Sequence, residues 1–99
     1  MTSTLHVLAH SPYGDERLPS CLRLLGPADG LLLCGDAVYA LVPGSAPNAS
    51  LEAAALDGRL FALAEDLQAR AVQPAAAQAL DYPGFVELTL RHDKVNTWL

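Results

Sequence analysis

Charge is scarce in this sequence. Asp, Glu, Lys and Arg make up 17% of the 99 residues, where an average soluble domain has about 25%. Hydrophobic residues make up 52%, enough apolar surface to collapse, so intrinsic disorder is excluded. Positive charge is scarcer still: six basic residues face eleven acidic ones, for a net charge of −5. That balance opposes the counterion release that drives binding to a phosphate backbone and excludes nucleic acid as a direct partner. No stretch approaches the roughly 18 apolar residues of a membrane span. Residues 1–8 have no basic start followed by a long apolar core, so the chain reads as cytoplasmic with no membrane partner.

The motifs of common catalytic machinery are missing too. The two cysteines, Cys21 and Cys34, form no CxxC pair, so neither a dithiol redox motif nor a zinc ribbon is supported, and without a secretion signal both are expected as free thiols. His6, His10 and His92 have no HxxxH or HExxH spacing, and no metal site is expected. Gly30, Gly35 and Gly44 build no phosphate-cradling loop, which leaves a small nucleotide-binding module a distant third reading and no cofactor in view. Ser11, Ser20, Ser45 and Ser50 lie in no GxSxG elbow.

What is present reads as one domain, residues 1–99, since the chain is too short for two cores. Short apolar runs at residues 5–9, 30–34 and 60–64 predict strands, the second being apolar throughout as in a strand covered on both faces. Leu18, Cys21, Leu22 and Leu25 recur at helical spacing before Gly26-Pro27 stops them. Asp36 is a competent cap for a short helix over residues 37–41, and Ser50 for one over residues 51–56 with Gly58 as its stop. Glu65 and Asp66 favour a helix start before Leu67, Ala71 and Val72, and Ala79-Leu80-Asp81 has room for a very short strand. Val86, Leu88 and Leu90 fit either a strand or a helix; Asp81 as N-cap and Pro83 in a first turn favour helix. Strands alternating with helices predict an α/β fold, a mainly parallel sheet of four to five strands flanked by helices. Trp98 and Leu99 are expected to dock, because a tryptophan offers too much apolar area to leave wet.

Cys21 is the candidate for chemistry. A thiol in the first turn of a helix, with Arg17 and Arg23 close in sequence, is biased toward thiolate, the nucleophilic form. Against that, Cys21 shares a face with Leu18, Leu22 and Leu25 and reads equally as a small buried hydrophobe. Cys34 ends a strand, where ligands of open α/β sheets bind, but follows three core leucines. A chain so poor in charge also shows apolar surface unless a partner covers it.

Five segments carry a resemblance along most of the chain. Leu5-His6 with Ser11-Pro12, then Cys21 to Leu25, then Gly30 to Leu33 with Gly35-Asp36, resemble the DsrH/TusB family of sulfur-relay proteins, as do Ala64 to Arg70 and Asp81 to Thr89 before Trp98. The resemblance implies a DsrE/F/H-like α/β domain seated in a heterohexamer with TusC/DsrF-like and TusD/DsrE-like subunits, with a TusE/DsrC-like acceptor downstream. It implies persulfide transfer serving either 2-thiolation of a tRNA wobble uridine or dissimilatory sulfur oxidation. The chief sulfur-carrying cysteine belongs to the TusD/DsrE partner in such complexes, which leaves this chain mainly structural, not catalytic alone, with Cys21 an auxiliary persulfide site or a packed residue. The other class of function is a free-standing thiol sulfurtransferase with Cys21 as nucleophile.

Overall fold

The computed structural model describes residues 2–98. Five parallel strands, β1 (Thr4–Leu8), β2 (Gly30–Leu33), β3 (Leu60–Leu63), β4 (Gln78–Leu80) and β5 (Lys94–Trp98), form one sheet in the order β4-β3-β2-β1-β5. The chain steps outward from β1 to β4 and then returns to lay β5 on the other side of β1. Crossovers keep one hand, so outward and returning connections fall on opposite faces. Three helices, α1 (Arg17–Leu24), α2 (Ala46–Ala53) and α3 (Ala64–Ala69), together with a 3₁₀ helix over Gly35–Leu41, belong to the outward path. The return carries α4 (Tyr82–Leu90) alone.

The strands β1 to β3 are short and apolar because both their faces are covered. On the outward face, Leu8, Leu31, Leu33 and Ala62 pack against Leu18 and Cys21 of α1, Val38 and Leu41 of the 3₁₀ helix, Leu51 of α2 and Leu67 of α3. On the return face, Leu5, Val7, Leu32 and Phe61 meet Leu88 and the half-buried Phe85 of α4. Alternation along each strand sends neighbours to opposite faces.

Most expected elements are present, with three differences. The helix after β2 is a 3₁₀ helix that starts at Gly35 with Cys34 at its cap and no side-chain cap, so Asp36 lies inside its first turn and does not cap it. The second α-helix is capped by Ser45, whose Oγ accepts from the Asn48 amide at 3.2 Å, and not by Ser50, which lies inside the helix. Pro47 in the first turn fits that earlier start. The helix ends at Ala53 because Ala55 takes a left-handed conformation, φ 53°, ahead of Gly58. The ambiguous last segment is helical, with Asp81 Oδ1 accepting from the Gly84 amide at 2.8 Å. β5 was not among the expected strands; it is a mostly exposed edge, and polar Asn96 and Thr97 break any continuous apolar run.

Candidate functional site

Cys21 sits in the second turn of α1, since the helix begins at Arg17, with no side-chain cap at Glu16. It lies beyond the first turn, where the helix terminus acts on charge. Its side chain is fully buried, at 0% exposure, among the outward-face core. Burial, reinforced by the negative charge of Asp29, pushes the thiol up to about 12. The depressed pKa expected from Arg17 and Arg23 is thereby corrected. Arg17 is engaged with Asp15, both through its guanidinium and its backbone amide, and Arg23 reaches the Ser20 hydroxyl at 3.2 Å. Arg23, two residues on, is turned away from the face that Cys21 shares with the core, and Arg17, one helical turn before Cys21, is held by Asp15.

Cys34 lies where the carboxyl ends of β1 and β2 meet. Its amide donates to Leu8 O at 2.9 Å, and its half-buried thiol points at the same carbonyl, Sγ to O 3.5 Å. Gly35, which follows, has φ 52°, and a β-carbon there would stand 3.0 Å from Ala9 O, so only glycine fits this turn. Asp66 of α3 accepts from the Gly35 amide at 2.8 Å and fixes the corner. Arg70 closes it with a bond from Nε to Asp36 Oδ1 at 2.9 Å. Burial raises the Cys34 thiol as well, Asp66 adding to the rise and Arg70 opposing it. Both sulfurs are therefore held in the neutral thiol form at neutral pH, a poor state for attack on a donor sulfur.

The three histidines remain apart. His6 is buried in β1, His10 is exposed beyond it, and His92 turns its Nδ1 to Leu88 O at 2.9 Å. Among the described residues, no group of three or more His, Cys, Asp or Glu is placed to hold a metal ion, and no helix is long and apolar enough to cross a membrane. A groove of about 270 Å³ opens beside α2, lined by Leu41, Asn48, Leu51, Glu52 and Leu60. It lies at the amino end of β3, away from both sulfurs.

The second feature of the site is apolar. Tyr82, Val86 and Leu90 follow one another at four-residue intervals along α4 and stay exposed, Leu90 at 79%. Val95 of β5 pairs in register with Leu5, which faces α4, so it adds to the exposed apolar area on the same side of the sheet. Helix-period counting alone could have revealed the α4 row.

The family described as DsrH like protein matches residues 10–95. The chain belongs to the DsrH family. It is 37% identical to Protein TusB of Erwinia tasmaniensis, over 95% of this chain and 99% of that one, and 37% identical to Protein TusB of Escherichia coli O6:H1 with the same coverage. The crystal structure of the ychN protein from E. coli superposes with a TM-score of 0.82 at 24% identity, covering 99% of this chain and 100% of the other. That likeness establishes the single-domain parallel α/β architecture that DsrH-family membership implies.

Proposed function

We propose that this chain is a subunit of a heteromeric sulfur-relay complex that serves 2-thiolation of the tRNA wobble uridine, and that it acts there as a scaffold. Its fit with TusB relatives over nearly the whole chain supports the pathway. One observation carries the scaffold role: Cys21 is fully enclosed and its thiol is pushed up to about 12. A relay cysteine must be reached by its donor and attack as thiolate, and Cys21 meets neither condition. The reading of a free-standing sulfurtransferase loses its nucleophile on the same ground. Sulfur is then carried by the cysteine of a homologous TusD/DsrE-like subunit, with a TusC/DsrF-like subunit completing the assembly and a TusE/DsrC-like protein accepting downstream.

The exposed row Tyr82, Val86 and Leu90 supports a subunit role, since contiguous apolar surface of this kind marks an interface. Native mass measured with and without the co-expressed homologues tests the proposal. The expected result is a hetero-oligomer, with the isolated chain self-associating. Treatment of the isolated chain with a persulfide donor is expected to leave Cys21 unmodified. A monomer indifferent to its neighbours that gains one sulfur at Cys21, and none in Cys21→Ser, overturns it.

A further inference from the structure

Trp98, His6 and Asp29 stand in a row, and the scaffold role uses neither Trp98 nor His6. His6 is 5% exposed in the middle of β1. Its two ring nitrogens meet opposite neighbours. Trp98 Nε1 donates to His6 Nδ1 at 3.1 Å. An indole nitrogen only donates, so Nδ1 is unprotonated in this arrangement and the proton of the neutral ring sits on Nε2. Nε2 faces Asp29 Oδ2 at 3.6 Å. Asp29 is anchored in turn by the amides of Thr4, at 2.9 Å, and Gly26, at 2.8 Å. A second proton on the ring is favoured by the carboxylate on one side and refused by the indole on the other.

The remaining charges near this row reinforce its isolation. The neutral Cys21 thiol of α1 lies within the field of Asp29. Arg59 spends its guanidinium on the carbonyls of Gly26 and Asp29, both at 2.9 Å. On β5 the cation is Lys94, exposed at the far end of the strand from Trp98. On α1 they are Arg17, engaged with Asp15, and Arg23, held by Ser20. No other acceptor bonds Trp98 Nε1 among the described residues.

We infer that His6 is a proton-operated latch on the end of β5: the neutral ring holds Trp98 against the sheet, and the protonated ring pairs with Asp29 and lets Trp98 go. Protonation places an N–H on Nδ1, so two donors confront each other across 3.1 Å and the bond is lost. A half-buried indole N–H without an acceptor turns to water for one, which peels the last residue of an edge strand from β1. No covalent step is involved; the proton comes from solvent and returns to it.

Trp98 is the sole tryptophan, so its indole N–H gives one isolated signal in a nitrogen-proton spectrum of the full chain. As pH falls from about 8 to about 5, the range in which imidazole titrates, protection of that N–H is expected to drop by about tenfold, corrected for free-indole exchange. Such a drop corresponds to loss of one hydrogen bond. The drop must follow the His6 ring signals. In His6→Gln, whose amide oxygen accepts without titrating, protection is expected to stay flat. An indole that does not respond while His6 titrates, a His6 that takes up no proton in this range, or a His6→Gln chain that repeats the drop overturns the latch. Trp98→Phe is a second arm, independent of whether His6→Gln folds. Its melting temperature is expected to fall less than that of the parent chain across the same pH range, and an equal fall overturns the latch.

Discussion

The two faces of the sheet are built from the same strands but are covered very differently. On the outward side, three α-helices and a 3₁₀ helix bury Leu8, Leu31 and Leu33. On the return side, α4 alone shields Leu5, Val7, Leu32 and Phe61, and it does so with Leu88 buried and Phe85 half-buried while Tyr82, Val86 and Leu90 look outward. A helix normally hides its apolar stripe and wets the opposite side. Here α4 is apolar on both, which is the pattern of an element packed between two bodies. The outward face is finished by its own chain, whereas the return face leaves apolar area of α4 exposed.

The largest expected effect tests that difference directly. Leu31→Ala, at the centre of the thick face, is expected to cost about 2–5 kcal/mol, measured by urea unfolding of the isolated chain. Leu88→Ala is expected to cost less, about 2 kcal/mol, and to open the amides of α4 to hydrogen exchange before the rest of the sheet. Equal costs, with α4 no more open than α1, would make the faces equivalent.

A smaller effect comes from Cys21 on the thick face. The folded thiol ionises only at about 12, whereas an unfolded cysteine does so near 8.5. Between those values the unfolded chain binds fewer protons than the folded one, so stability falls as pH rises. Below about 8.5 the contribution is whole; above it the loss approaches ~1.4 kcal/mol per pH unit. The urea midpoint of the parent chain is expected to decline from pH 8 to pH 10 more steeply than that of Cys21→Ala. Parallel declines would mean that the thick face does not seal its thiol.

The smallest effect on the fold belongs to the thin face. Leu90→Glu, at 79% exposure, is expected to change the stability of the isolated chain by no more than about 0.5 kcal/mol while abolishing its assembly with homologous subunits. A variant that destabilises the lone chain but assembles normally would remove α4 from the interface.

Legibility in the sequence followed burial on both faces. The leucine run at residues 30–34 marked a strand because a segment covered on two sides has no reason to alternate. Asp81 and Pro83 resolved α4 because capping is local chemistry. β5 escaped because an edge strand is apolar only where it touches its neighbour; the signals present were the β-branched Val95 and Thr97 with the aromatic Trp98. At the site, the position of Cys21 on the apolar face of α1 was readable, but its electrostatics were not. Arg17 and Arg23 are near it in sequence, whereas Asp29, which acts on it in space, arrives through the loop before β2. The His6–Trp98 contact joins residues 92 positions apart, and no spacing rule reaches that far.

The tie between β1 and β5 also sets the order in which the fold can close. Thr4 pairs with Lys94 and Leu8 with Trp98, and the Ser3 amide is held by Asp93 across a separation of 90 positions. During synthesis at about 5–20 residues per second, β1 waits roughly 5–20 s for the strand that covers its second edge. Over that interval a nearly complete sheet presents an unpaired, strongly apolar strand to its surroundings. Such an edge accepts strands from other chains. The slow, vulnerable stage of folding is therefore its last, and residues 94–98 decide whether the nascent sheet closes on itself or on a neighbour.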